Sequence, residues 1–213
     1  MLVVRLAEDL HCILKMASRL HQKIAFKDGK TQCEKVCVVL SSPVGRIEVY
    51  GCSTGVHEIQ MQGNVLPSSG TVESLVSCEV CEAPEEMTEP LKQCVAWLQA
   101  YFCEPWMTEK LTTPPFHHPL LEKASFTREV LRTLLRDVKF GEAVSYKQLA
   151  ALAGNSKAAR AVGGAMRSNP VPIIIPCHRV ICSSGQTGNY TGGSHLKEWL
   201  LSHERLQKEK LAY

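Results

Sequence analysis

The chain has 213 residues, 45% of them apolar and 21% charged, and a formal net charge of +3. That length fills one large domain or two smaller ones, and no apolar run nears the roughly 20 residues of a membrane span. The absence of a secretory signal pattern and ten cysteines without dense framework spacing argue against a secreted disulfide scaffold and for thiol or metal roles in a reducing compartment.

Residues 1–30 place Leu6, Leu10, Ile13, Leu14 and Leu20 among Arg5, Lys15, Arg19 and Lys23, a loosely amphipathic helical pattern of unassigned role. Glu8, Asp9 and the scarcity of serine speak against an organellar presequence. From Lys35 to Met61, β-branched residues alternate around Ser42-Pro43-Val44-Gly45 and Gly51, predicting antiparallel strands joined by turns. Residues 63–88 are rich in Gly, Ser, Pro and Glu and read as a long loop, and Leu91 to Phe102 carries apolar residues at helical spacing. An α+β first domain is expected, ending at a connector marked by Pro114, Pro115 and Pro119.

Beyond the connector the charge changes sign. Residues 1–120 hold 10 Lys and Arg against 14 Asp and Glu, whereas residues 121–213 hold 14 against 7. A basic half beside an acidic one suits contact with nucleic acid phosphates. Ser125 starts a helix with a stripe of Val130, Leu131, Leu134, Leu135 and Val138. Ser145 caps a second helix through Tyr146, Leu149 and Leu152 to Gly154, and a third is predicted from Lys157 toward Arg167, which is helix-turn-helix spacing. Lys147, Lys157, Arg160 and Arg167 meet no acidic residue between positions 143 and 170. The third helix is lined by Ala158, Ala159, Ala161, Gly163, Gly164 and Ala165. Two glycines inside a helix cost about 1 kcal/mol each relative to alanine, so either tight internal packing or close approach of a partner must compensate.

An apolar run, Val171 to Ile175, is then closed by Pro176-Cys177-His178-Arg179-Val180. A cysteine ending a buried strand is ordinarily a core residue. Here an imidazole and a guanidinium adjoin it in sequence, and nearby positive charge favours the nucleophilic thiolate.

Ile175-Pro176-Cys177-His178-Arg179-Val180 and Arg160-Ala161-Val162-Gly163-Gly164-Ala165-Met166-Arg167-Ser168-Asn169-Pro170 closely resemble the O6-alkylguanine-DNA alkyltransferase family, in its vertebrate branch. Ser125-Phe126-Thr127, Tyr146 to Ala150, Gly188-Asn189-Tyr190 and Glu198 to Leu201 extend the likeness over roughly residues 31–206. The resemblance implies an α/β (α+β) fold with a small ribonuclease H-like antiparallel-sheet domain over 31–118 and a mostly helical domain with a winged helix-turn-helix over 119–206. Residues 1–30 would be an extension and 207–213 a tail. It further implies stoichiometric, single-turnover DNA repair, in which the cysteine takes the alkyl group from O6-alkylguanine, and less well from O4-alkylthymine, in a nucleotide flipped from duplex DNA through the minor groove.

By the same resemblance, Cys177 is the acceptor, His178 its base through a water, Glu204 the group that orients His178, and Asn169 the holder of that water and the turn. Tyr146 reaches guanine N3. Met166 and Tyr190 wall the pocket, and backbone groups of Cys177, Val180 and Thr191 read the base edge, Thr191 standing where the family often has serine. Arg160 fills the vacated stack, Ala159 and Ala161 admit the helix to the groove, and Lys157, Arg167 and Ser183 meet phosphates. Arg179 supports the active-site turn. Spacing alone leaves two metal sets open, Cys33, Cys52, His57 and His117 against Cys78-Glu79-Val80-Cys81. The resemblance selects the first as a structural zinc site, with His118 a neighbouring decoy and no organic cofactor. A nuclear monomer acting on double-stranded DNA, without membrane attachment, is expected. A lesion-binding relative without transfer activity would lack Cys177. A cysteine hydrolase would leave the paired helices unexplained, and a transcription factor the Cys-His-Glu set.

Overall fold

The computed structural model describes residues 21–22, 33–62 and 77–211. Of the helical reading of residues 1–30, only 21–22 are described, and they form a short strand paired in the sheet rather than a helix; of the loop over 63–88, residues 63–76 lie outside the described residues. Among the described helices none is long and apolar enough to cross a membrane.

The first half is a five-stranded antiparallel sheet. Strands β2 (Lys35–Ser42), β3 (Gly45–Gly51) and β4 (Val56–Gln62) form the predicted meander. Pro43 and Val44 make the β2–β3 turn, in which Gly45 takes a φ of 98° and Ser42 Oγ donates to its carbonyl at 2.7 Å. β1 (His21–Gln22) and β5 (Glu79–Glu82) share the other edge of β2. β5 corrects the expectation of an unbroken loop over 63–88. Its four residues, Glu-Val-Cys-Glu, show no apolar alternation because the strand lies at an exposed edge, where charged side chains discourage pairing with other chains.

Helix α1 (Glu89–Cys103) lays Leu91, Cys94, Val95, Leu98, Tyr101 and Phe102 across the sheet, the spacing of a helix with one buried face. Sheet and helix fit closely: a Cβ on Gly51 would come within 3.0 Å of Leu91 Cδ2. A 3-10 turn (Pro105–Met107) and a short helix α2 (Pro119–Glu122) then lead into the helical half.

There α3 (Phe126–Asp137) begins at Ser125, whose Oγ accepts from the Arg128 amide, and buries Val130, Leu131 and Leu134. β6 (Val144–Ser145) leads directly into α4 (Tyr146–Leu152), where Ser145 and Gln148 form a reciprocal capping box. α5 (Ala159–Arg167) starts two residues later than the sequence suggested, because Asn155 Oδ1 accepts from the Lys157 amide and holds that stretch in a turn. α6 (Ser194–Leu211) continues past residue 206, so residues 207–211 prolong a helix. The Val171–Ile175 run is buried but is no strand. It folds as a turn in which Ile173 adopts a φ of 72°, the left-handed region that a β-branched residue strongly disfavours. One core runs without a break from Val38 and Leu98 to Leu131, Ile174 and Leu200.

Candidate active site

The strained turn is held by one side chain. Asn169 Oδ1 accepts from the Val171 amide at 3.1 Å, while Nδ2 donates to the Ile175 carbonyl at 2.8 Å and to Cys177 Sγ at 3.1 Å. Asn169 thus closes the loop and presents a donor to the sulfur. Cys177 opens a 3-10 turn (Cys177–Arg179) that ends in the two-residue strand β7 (Val180–Ile181), paired with β6. Sequence neighbours point apart there. His178 and Arg179 turn away from the thiol toward Glu204, which α6 carries into the core.

Glu204 is 1% exposed, and a carboxylate so buried must be surrounded by donors. Oε1 accepts from His178 Nε2 at 2.6 Å, Tyr101 Oη at 2.9 Å and Arg179 Nη2 at 3.1 Å. Oε2 accepts from Arg179 Nε at 2.8 Å and the Gly141 amide at 3.0 Å. Burial alone would raise this carboxyl, but His178 and Arg179 outweigh it and hold the group well below the usual carboxylate range. The pairing assigns the proton of His178 to Nε2 and leaves Nδ1 as a lone-pair acceptor. That Nδ1 is buried with no hydrogen-bond partner, as is Tyr190 Oη. Burial also lowers the imidazole pKa, against the pull of Glu204, so the ring is neutral at neutral pH.

The thiol departs from the sequence expectation. Burial pushes Cys177 above its ordinary value, and the opposing influences are Asn169, Tyr190 and Lys197. Arg179 instead donates through Nη1 to the Val138 carbonyl at 2.7 Å and lies over the Phe140 ring, as a support for the turn should. Lys197 is a functional candidate that sequence reasoning missed. It is 1% exposed, and its Nζ donates to the Val180 carbonyl at 2.6 Å and sits 6.0 Å from the Tyr146 ring centre. Its position one turn of helix from Leu200 and two from Glu204 was the available signal, since it places all three on the buried face of α6.

Cys177 lines two neighbouring hollows that also share Tyr190 and Thr191. One, of about 440 Å³, is lined by Tyr146, Gly163, Met166, Asn189, Tyr190 and Thr191. The other, of about 410 Å³, reaches β4 at Ile59 and Met61 and passes Pro172. The structure therefore brings Tyr146, Met166, Tyr190 and Thr191 to the thiol as expected. Val180 stands behind the cavity, its carbonyl taken by Lys197.

Arg160, Ala161, Lys157, Arg167 and Ser183 are exposed and Ala159 is half-buried. Among the described residues none of these basic side chains enters an ion pair. A Cβ on Gly163 or Gly164 would meet nothing within 4 Å. Internal packing therefore explains neither glycine, which leaves a surface open to close approach from outside.

A second constellation gathers in the sheet domain. Donor atoms of Cys33, Cys52, His57 and His117 lie within 4.8 Å of one another. Cys52 Sγ is 3.2 Å from both His57 Nε2 and His117 Nδ1, and Cys33 Sγ is 3.4 Å from His57 Nε2. Tetrahedral zinc with S and N ligands has donor separations of roughly 3.4–3.8 Å, so the set fits such an ion with slight relaxation. Burial lowers His57 to about 4, giving the neutral imidazole a metal requires. Gly55 makes the site possible: its Cβ would lie 2.8 Å from the backbone of Pro115, Phe116 and His117, so any side chain would push His117 away. Cys78 is buried in the core while Cys81 is exposed. His118 caps α2 through Nδ1.

Comparison with known proteins agrees with this geometry. The family model "6-O-methylguanine DNA methyltransferase, ribonuclease-like domain" matches residues 35–109, and the corresponding "DNA binding domain" model matches residues 125–206. The methylated-DNA–protein-cysteine methyltransferase of Cricetulus griseus is 58% identical over 173 residues, covering 81% of this chain and 83% of the relative. That of Homo sapiens is 56% identical over 172 residues, covering 81% of each. The crystal structure of Mycobacterium tuberculosis OGT in complex with DNA superposes with a TM-score of 0.59 at 29% identity, covering 79% of this chain and 92% of that one.

The buried relay makes stability depend on pH. Glu204, held below its ordinary value, contributes most above about pH 4–5 and loses that contribution as pH falls further. His178, held low by burial, costs stability once pH drops below about 6.5, where the unfolded imidazole takes up a proton first. Glu204→Gln, which leaves Arg179 buried without its counter-charge, should lower stability by about 3–5 kcal/mol at pH 7. It should also flatten the acid-side decline, as urea unfolding across pH 3–8 would measure.

Proposed function

The chain belongs to the 6-O-methylguanine DNA methyltransferase family and repairs alkylated DNA by transferring the alkyl group to a cysteine; we propose that this cysteine is Cys177, and that the substrate is O6-alkylguanine, with O4-alkylthymine accepted less well. One observation carries the assignment. At the floor of a cavity beside an unpaired basic helix lies a thiol that the Asn169 amide contacts, and the next residue in the chain, His178, is held by the buried Glu204.

In this reading the thiol proton passes through one water to His178 Nδ1, whose imidazolium form Glu204 stabilises. The sulfur attacks the alkyl carbon in line with the O6 bond. The S–C bond forms, the C–O6 bond breaks, and its electron pair goes to the guanine. Tyr146, kept protonated by burial, supplies a proton toward guanine N3, so the base departs neutral. Lys197 steadies the negative charge that passes through the sulfur. The thioether product has no leaving group for water to displace, so each molecule acts once.

The target atom is out of reach inside a duplex, which requires the nucleotide to be rotated out of the stack. Arg160 would occupy the vacated space while Ala159, Ala161, Gly163 and Gly164 let α5 settle into the minor groove, making α4 and α5 a helix-turn-helix. Lys157, Arg167 and Ser183 would contact phosphates. Little sequence information is available from that groove, which suits a repair protein acting in any context. Zinc held by Cys33, Cys52, His57 and His117 would act as a structural cross-link, leaving the transfer chemistry to Cys177. Action in the nucleus is inferred from the substrate assigned, and the chain is read as a monomer.

Mass spectrometry after incubation with O6-methylguanine DNA should find one added methyl group, on Cys177. Methylation of another cysteine, or repeated turnover, would reject the assignment. Arg160→Ala should slow repair of duplex DNA by roughly tenfold or more, with little effect on reaction with free O6-benzylguanine; equal losses would remove the flipping role. Metal analysis of Cys52→Ser should show loss of zinc, with transfer persisting more slowly.

A further inference from the structure

The geometry points to Tyr101, on the helix of the sheet domain, as a positioning residue that sets the basicity of His178. This inference rests on the reading of His178 as the proton acceptor. Tyr101 is fully buried, and its ring is fixed on several sides: stacked on Trp97 at 5.7 Å, edge-on to Phe102 at 5.1 Å and Phe140 at 5.9 Å, and tilted against His203 at 5.5 Å. With two torsions held by packing, the hydroxyl has one polar direction, toward the Glu204–His178 pair.

There it shares an oxygen with the catalytic imidazole. Tyr101 Oη donates to Glu204 Oε1 at 2.9 Å, the oxygen that receives His178 Nε2 at 2.6 Å, and the two donors stand 3.5 Å apart. Tyr101 remains a donor, because burial and then the Glu204 charge raise its pKa well above the ordinary tyrosine value. A carboxylate oxygen that accepts several hydrogen bonds divides its negative charge among them, so each donor weakens its hold on the others. The tyrosine therefore draws from Oε1 part of the charge that would otherwise stabilise imidazolium. His178 stays neutral at rest and accepts a proton only as the sulfur reacts.

Tyr101 shares this effect on Oε1 with one charged donor. Arg179, from the 3-10 turn, divides its donors between both Glu204 oxygens. Lys197, from α6, acts on His178 through charge alone, and Tyr190 acts on Tyr101 in the same way. His203, also on α6, directs Nε2 to the Tyr101 carbonyl at 3.0 Å. Among the described residues, Tyr101 is the one hydrogen-bond donor to Glu204 that comes from the sheet domain; the others, at 141 and 178–179, belong to the helical half. The first domain thus reaches the Glu204 carboxylate through one hydroxyl.

Tyr101→Phe in the full chain removes that hydroxyl and keeps the ring. Two measurements test it: the rate of alkyl transfer from free O6-benzylguanine across pH, and the NMR resonance of the His178 Nε2 proton. With Oε1 released to the imidazole, the acid limb of the rate profile should rise by roughly one pH unit, and the Nε2 proton should move downfield as its hydrogen bond strengthens. A uniform loss of rate at every pH, with limb and resonance unmoved, would overturn the inference and leave Tyr101 a packing residue. If His178→Asn kept the pH profile of the unsubstituted chain, the proton-acceptor reading would fail, and the resonance alone would decide on Tyr101.

Discussion

A single buried carboxylate governs how this molecule is put together. Glu204 cannot remain ionised in the core unless every lone-pair direction finds a donor, and meeting that demand draws in three separate stretches of chain. His178 is oriented by it and Arg179 is withdrawn from the thiol by it. The turn at Gly141, with a φ of 70°, brings its amide under α6. Breaking any one of these contacts leaves charge buried, so the relay and the packing around it stand or fall together.

The second organising feature is a turn held against its own preference. Ile173 occupies a backbone region that its branched side chain resists, at a cost of about 1–3 kcal/mol, and such conformations persist where the surroundings over-determine them. Asn169 provides that constraint with three hydrogen bonds, one of them to the reactive sulfur. The position of Cys177 and the donor to its sulfur thus have a common origin. The same loop reaches the sheet domain, where the Ile59 amide donates to the Pro170 carbonyl at 2.9 Å.

Much of this was legible in the residues. The alternation of β2 to β4, the stripe of α1 and the caps at Ser125 and Ser145 are local signals, and local signals survive folding. The motif around Cys177 and the four dispersed metal donors were legible through family resemblance, which supplies the long-range proximity that spacing cannot. What escaped was non-local. β5 has no alternation because it lies at an exposed edge, and only its pairing with β2 makes it a strand. Tyr101 and Lys197 look like an ordinary helix tyrosine and a surface lysine until the opposing elements are in place. The tempting inference that Arg179 would activate its sequence neighbour failed because backbone turns separate adjacent side chains as readily as they join distant ones.

The burial of sulfur at five of the nine described cysteines carries a further consequence. All nine described cysteines are free thiols, and burial, with neighbouring negative groups, raises several of them, Cys37 to about 11 and Cys78 to about 12. Cys177 shares that suppression in the resting molecule. Cellular electrophiles react with exposed thiolates, and a protein that can react once would be exhausted by them if its sulfur were permanently ionised. With Cys177 read as the acceptor, the enclosure that slows it would also preserve it, the sulfur ionising only when a base sits in the cavity to receive it.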